Sequence, residues 1–233
     1  MRPVIKVMLL AAGVGERMRP LTNHTPKPLL QVAGMPLIEH HIRRLAAAGL
    51  TELVINVCHL GSQIIDYCGD GNRWGVSIVY SPEAQPLETA GGIINAMPHL
   101  GTQPFMVVNS DVWTDYPFLK LATHDLAKTA CEARLVLVDN PPQHALGDFS
   151  LESDGRLRIK QANAMGHTYA GIGLYSPVFF AGVAAGKLAL RPLLDKAITA
   201  GAISGEYYGG DWVDVGTPQR LQELDERVSL PAP

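Results

Sequence analysis

Residues 4–10 form an apolar run, broken only by Lys6, that leads straight into a loop with two glycines, Leu10-Ala-Ala-Gly-Val-Gly-Glu-Arg. A strand with so little alternation belongs inside a parallel sheet, where both faces are covered. The loop at its C-terminal end then opens onto the crevice where open α/β sheets bind ligands. Gly13 and Gly15 let backbone N–H groups approach an anion with no Cβ in the way. Arg17, Arg19 and Lys27 follow and bring positive charge. The run also imitates the start of a signal peptide, but it is too short and charged residues follow it at once.

The pattern downstream continues the same theme. Pro36 suits the first position of a helix running to Ala48, with Ile38, Ile42 and Leu45 on one face and Gly49 as its left-handed cap. Strands are expected over 53–57, 76–80, 105–108 and 133–138. Helices are expected over 63–67, 89–97 (capped by Thr89) and 119–128. This alternation predicts an α/β fold, a Rossmann-like, mainly parallel mixed sheet covered by helices on both faces. After about Asn140 the texture changes. Residues 149–151 and 157–160 flank Asp154-Gly155 as a hairpin. A strand over 169–175 and helices over 190–200 and 218–228 follow. No repeat or low-complexity linker divides the chain. One domain over 1–233 is expected, with a nucleotide-binding half (1–140), a sugar-phosphate-binding half (141–228) and a frayed tail (229–233).

With 47% hydrophobic and 18% charged residues the chain can bury a proper core. A net charge of −3 gives no global field for nucleic acid or an anionic membrane, so any phosphate site must be local. No stretch approaches the ~20 apolar residues of a spanning helix. Three cysteines without a Cys-x-x-Cys argue against a disulfide framework or zinc site and favour reduced thiols in a cytoplasmic protein. His40 and His41 are not a metal pair, since helix neighbours point about 100° apart.

The glycines alone leave several readings of the first loop. A dinucleotide fingerprint needs a third glycine where Met18 stands, and a P-loop needs Gly-Lys before Ser or Thr. A tight turn with solvated arginines also fits. The longer string is more specific. Leu10-Ala-Ala-Gly-x-Gly-x-Arg-Met-x-Pro-Leu-Thr, followed by Pro26-Lys27-Pro28-Leu29, resembles the signature of the sugar-1-phosphate nucleotidyltransferases. The resemblance covers nearly the whole chain. It implies that Ala11, Ala12, Gly13 and Gly15 wrap a triphosphate, that Arg17 contacts its phosphates, and that Lys27 reaches the α-phosphate. Val14 departs from the pattern, since many members carry Lys there.

Two aspartates end apolar stretches, Asp111 in Asn109-Ser110-Asp111 and Asp214 in Trp212-Val213-Asp214. Carboxylates just past strand ends sit at the ligand crevice and can share one Mg²⁺. The resemblance makes them the metal ligands, with Asp111 catalytic beside Lys27 and Arg17. Ser110 replaces the usual Gly. The segment from Ser81-Pro82-Glu83 to Gly91-Gly92 matches the base-binding loop. There Glu83 is expected to accept from a ring N–H, with Thr89 and Gly91 close to the base. Asn109, Asp148 and Gly171 fall on the sugar-phosphate side. Finer strings, among them 108–116, 147–149 and 204–217, resemble the branch that uridylylates N-acetylmuramate 1-phosphate. That implies UTP and this sugar phosphate as substrates in a cytoplasmic monomer or small homo-oligomer. A mannose-1-phosphate guanylyltransferase is the alternative within the family, and an inactive nucleotide-binding regulatory subunit the alternative outside catalysis. Arg156, Arg158, Lys160 and Lys187 are the cations available to pair the acceptor's lactyl carboxylate, unless they are merely solvated.

Overall fold

Val7, Met8 and Leu9 are fully buried, and they alternate between two cores on opposite faces of one sheet. Val7 and Leu9 face a cluster with Ile38, Ile42, Ile55 and Met106. Met8 faces another with Val54, Ile93, Val107 and Leu135. Burial on both faces is what the lack of alternation in this run encodes. Each such side chain contributes roughly 1.5–3 kcal/mol of transfer free energy.

The computed structural model describes residues 5–229. The strands are β1 (Val7–Leu10), β2 (Gln31–Val32), β3 (Met35–Pro36), β4 (Glu52–Val57), β5 (Ser77–Pro82), β6 (Phe105–Asn109), β7 (Val112–Thr114), β8 (Ala133–Val138), β9 (Phe149–Leu151), β10 (Leu157–Ile159), β11 (Thr168–Tyr175), β12 (Ile203–Tyr207) and β13 (Trp212–Asp214). The helices are α1 (Leu37–Ala47), α2 (Gly61–Cys68), α3 (Glu88–Leu100), α4 (Phe118–Ala122), α5 (Leu126–Thr129), α6 (Arg191–Thr199) and α7 (Pro218–Ser229). Seven strands form the main sheet in the order β12-β8-β11-β6-β1-β4-β5. All neighbours are parallel except β11, which runs antiparallel to both β6 and β8. The expected mixed, mainly parallel sheet is therefore present, and strands from the two halves of the chain interleave in it.

Several local expectations need correction. Pro36 stands just before α1 with an extended ψ of 142° and pairs with Gln31, so the helix begins at Leu37. Thr89 is not a cap: α3 starts one residue earlier, at Glu88, and its N-cap residue Leu87 makes no side-chain capping bond. The helix expected over 119–128 is two short ones, broken where the Asp125 side chain accepts from Ala127 N–H and starts α5. β12 has too few apolar residues to stand out in sequence, and β7 and β13 are only three residues each. Val4 and the Pro231-Ala232-Pro233 end lie outside the described residues.

A third apolar cluster positions the site. Met18, Leu30, Val32, Leu37, Trp113, Val215 and Leu224 pack together. Through it α7 holds the loop after β1 against the β7–β13 ribbon. Met18 is 1% exposed, so its place in the motif is a packing anchor for the loop after β1.

Candidate active site

Beyond the C-terminal ends of β1 and β6 lies an open cleft of about 590 Å³. Its wall includes Ala11, Ala12, Gly13, Gly15, Arg17, Lys27, Glu83, Thr89, Asn109 and Asp111, ten of the residues expected from sequence. A Cβ on Gly13 would meet nothing within 4 Å, which leaves its backbone open to the cleft. Gly15 has φ +69°, and a Cβ there would stand 2.9 Å from Thr22 Cγ2. Thr22 Oγ1 donates to the Gly15 carbonyl at 2.8 Å. The turn is thus locked from below. Ser110 Oγ donates to the Leu10 carbonyl at 2.5 Å, so the serine that departs from the expected pattern ties the end of β6 to the end of β1, where the glycine loop starts.

Lys27 is 8% exposed, and its Nζ donates to Asp111 Oδ2 at 2.6 Å. A buried ammonium needs such a partner, since desolvating an unpaired charge is costly. Arg17 is exposed and makes no ion pair among the described residues, leaving its guanidinium available to a polyphosphate. Asp214 pairs with Val112 across the ribbon, and Val215 N–H donates to the Asp111 carbonyl at 3.0 Å. The ribbon therefore brings the two aspartates side by side from 103 residues apart in sequence. Asp214 does not line the cleft directly. Its Oδ2 accepts from Arg220 Nη1 at 2.5 Å, and Gly216, which does line the cleft, leaves room for that pair because a Cβ would stand 2.5 Å from Arg220 Nη2.

These two carboxylates suit a hard divalent ion. Mg²⁺ is bound through one or two carboxylates, with phosphate oxygens and water completing its octahedron. No group of three or more His, Cys, Asp or Glu side chains gathers among the described residues, so a closed protein cage is absent there. Both aspartates are partly exposed, at 36% and 26% of the side chain.

Asn56 escaped the sequence reading. It is a polar residue inside an otherwise apolar strand, 3% exposed, and that contrast was the available signal. Its Oδ1 accepts from Ala11 N–H at 2.8 Å, and its Nδ2 donates to Glu83 Oε1 at 2.7 Å. Glu83 Oε2 accepts from Leu87 N–H at 3.0 Å. Glu83, expected to read a base, thus has both oxygens engaged by the protein and, through Asn56, ties the 83–87 segment to the loop after β1. Gly91 needs a correction. Its N–H donates to the Leu188 carbonyl at 3.1 Å, and a Cβ would collide with the Gly186 carbonyl oxygen. Protein covers the face expected to lie against a base. Gly92 faces the Asn56–Glu83 bond instead.

His41 also went unassigned. It is buried and donates through Nε2 to the Val112 carbonyl, 2.7 Å away, just after Asp111. Burial drives its pKa down to about 4, with Arg44 and His40 adding to the effect against the opposing pull of the Val112 bond and Asp111. Cys68 is buried and its thiol pushed up to about 12, first by burial, which makes it inert. Cys58 is only half-buried, and burial with the nearby Glu83 charge raises its thiol too.

A second chamber of about 450 Å³ adjoins the first through Glu88, Thr89 and Asn109. Asp148 lines it and accepts from Tyr169 N–H at 2.9 Å. Gly171 does not line it. With φ +72°, it makes room for Asn109, whose Nδ2 would be 2.7 Å from a Cβ there. One chamber is lined by the glycine loop with Arg17 and Lys27 and the other by Asp148, Tyr169 and Arg191, with Asn109 on their shared wall.

The nucleotidyl transferase family model matches residues 6–229. The N-acetylmuramate alpha-1-phosphate uridylyltransferase of Neisseria meningitidis is 52% identical over 94% of this chain and 96% of its own. A mannose-1-phosphate guanyltransferase of Aspergillus oryzae is 33% identical over 92% of this chain but 62% of its own. A solved structure from Bacillus anthracis, assigned as a glucose-1-phosphate thymidylyltransferase in complex with a sucrose, shares the fold with a TM-score of 0.86. It is 20% identical and covers 98% of this chain and 96% of that one. No helix is long and apolar enough to cross a membrane among the described residues. The loop, the paired aspartates and a match over almost the whole described chain place the protein in the nucleotidyl transferase family.

Proposed function

We propose that this enzyme transfers UMP from UTP to N-acetylmuramate 1-phosphate, giving UDP-N-acetylmuramate and pyrophosphate in the cytoplasmic recycling of peptidoglycan. The observation that carries this reading is the joined pair of chambers with Lys27 and Asp111 in the wall of the first. The choice of sugar and base is supported by 52% identity to a uridylyltransferase over nearly both full lengths.

A sugar phosphate is already an anion at neutral pH and needs no general base. One of its oxygens forms a bond to the α-phosphorus of UTP while the bond from that phosphorus to the bridging oxygen breaks, and the electron pair leaves on pyrophosphate. The obstacle is the meeting of like charges, so catalysis is positioning plus electrostatic stabilisation. Lys27 is held ready by Asp111 to stabilise the transferring phosphoryl group. Arg17 and the N–H groups of residues 12–15 hold the leaving pyrophosphate. Asn109 and Asp148 orient the sugar. Asp111 and Asp214 would hold Mg²⁺, which when bound neutralises phosphate charge. The nearness of Lys27, Asp111 and Asp214 supports an active enzyme over a regulatory subunit that only binds nucleotide.

The test is a matrix of kcat/KM values for N-acetylmuramate, N-acetylglucosamine, glucose and mannose 1-phosphates with UTP and GTP. The expected best pair is N-acetylmuramate 1-phosphate with UTP. A preference for mannose 1-phosphate with GTP would replace this reading by the guanylyltransferase one.

A further inference from the structure

The four cations considered from sequence do not line either chamber. Arg156 is turned inward, donating to the carbonyls of Gly201 at 2.5 Å and Thr129 at 2.8 Å. Lys187 lies 3.6 Å from Glu88. Arg158 sits exposed on β10, and Lys160 follows that strand. The second chamber nevertheless holds one cation, Arg191, at the first position of α6, among a lining that also carries the acids Glu88 and Asp148.

Arg191 is held in a way that leaves one edge open. Its guanidinium lies over the Phe149 ring, 4.6 Å from the centroid. Nε donates to Asp195 Oδ1 at 2.7 Å, and Nη1 reaches Asp148 Oδ1 at 3.4 Å. Nη2 donates to no protein group among the described residues. The aromatic face and the two carboxylates fix the plane of the fork, so a ligand carboxylate meeting its free edge finds an oriented donor. Asp148 repels any carboxylate placed on its own side of Arg191, which narrows the accepted orientation further.

We propose that Arg191 pairs a carboxylate carried on the acceptor sugar and thereby sets acceptor choice in the second chamber. This rests on the reading above that the acceptor is N-acetylmuramate 1-phosphate, whose lactyl ether supplies that carboxylate. The side chain is 48% exposed, so an acceptor without a carboxylate leaves Nη2 to water at little cost. Discrimination should then be on the order of 10–10²-fold, below what a fully buried donor gives.

The experiment compares wild type, Arg191→Ala and Arg191→Lys with UTP, measuring kcat/KM for N-acetylmuramate 1-phosphate and N-acetylglucosamine 1-phosphate. Arg191→Ala should lower the ratio of the two at least tenfold, mainly by raising KM for the carboxylate-bearing sugar, with KM for UTP within about twofold of wild type. Arg191→Lys should restore part of the ratio, because charge remains while the fork is lost. A wild-type preference that survives Arg191→Ala overturns the assignment of Arg191 alone, and so does a parallel loss with both acceptors. No preference in the wild type overturns the acceptor assignment itself, and the role of Arg191 with it.

Discussion

Replacing Asn56 by Leu, which has the same branched heavy-atom skeleton, removes the link between the loop after β1 and the 83–87 segment while keeping the strand filled. Two hydrogen bonds disappear, at 2.8 Å from Ala11 N–H and at 2.7 Å to the Glu83 carboxylate. A neutral bond is worth about 1 kcal/mol net and one to a charged group roughly 1.5–3 kcal/mol. The partners are left behind in a buried place, since Ala11 is 2% and Glu83 7% exposed, and orphaned groups push the cost toward the upper end. The expected loss is about 3–5 kcal/mol, read as a lower midpoint in urea unfolding followed by far-UV circular dichroism. The same variant should raise KM for UTP, because the loop after β1, proposed above to hold the triphosphate, loses the bond that anchors it at Ala11. Gly92→Ala attacks the same bond from the side, since its Cβ would stand 2.7 Å from Glu83 Oε1 and 2.8 Å from Asn56 Nδ2. It should move both readouts the same way, by less. If Asn56→Leu costs under about 1 kcal/mol and leaves KM for UTP unchanged, Asn56 is not the link described here.

Three further predictions follow from the site. Lys27→Ala should lower kcat more than it raises KM for UTP, whereas Arg17→Ala should weaken UTP binding as well; steady-state kinetics separates the two, and an unchanged kcat for Lys27→Ala would remove it from the transfer step. Asp111→Asn and Asp214→Asn should each cut kcat by roughly 10²-fold or more with the fold intact, and near-normal turnover of both at limiting Mg²⁺ would refute their assignment as ligands. Because His41 titrates near 4 when folded and near 6.5 when unfolded, the unfolded chain binds the extra proton between those values, so stability falls as pH drops from 6.5 toward 4. The His41 contribution is about 2 kcal/mol lost by pH 5. His41→Gln should flatten the pH dependence of the urea midpoint by that amount, and an identical slope in both proteins would refute it.

The parts legible in the sequence were those whose physics is local. Val7–Leu10 announced itself because a strand covered on both faces needs no polar residues, and Gly13 and Gly15 because two glycines after a buried strand mark a turn with an open backbone at Gly13 and a left-handed φ at Gly15. The Asp154-Gly155 turn was legible for the same reason: Gly155 has φ +79°, and Asp154 caps the turn by accepting from Arg156 N–H at 2.9 Å. What escaped depends on contacts made far along the chain. The role of Asn56 appears only when β1 and β4 are paired. Gly91 looked like a base platform until the 186–188 segment folded over it. Ile203–Tyr207 reads Ile-Ser-Gly-Glu-Tyr, yet its first four residues are buried; Glu206 is paired by Arg134 and Tyr116 from elsewhere in the chain, which no local apolar pattern announces. Arg191 drew no notice because a cation at a helix start is usually solvated, and only the closeness of Phe149 and Asp148 gives it a direction.

The proposed function requires the two chambers to bring a nucleoside triphosphate and a sugar 1-phosphate together for direct transfer. Phosphorus NMR of the enzyme with UTP, N-acetylmuramate 1-phosphate and Mg²⁺ tests it in one tube. The account predicts pyrophosphate appearing in step with the paired diphosphate doublets of a UDP-sugar, with no UTP consumed when the sugar phosphate is left out. Pyrophosphate released together with free UMP, or UTP untouched in the complete mixture, would contradict it.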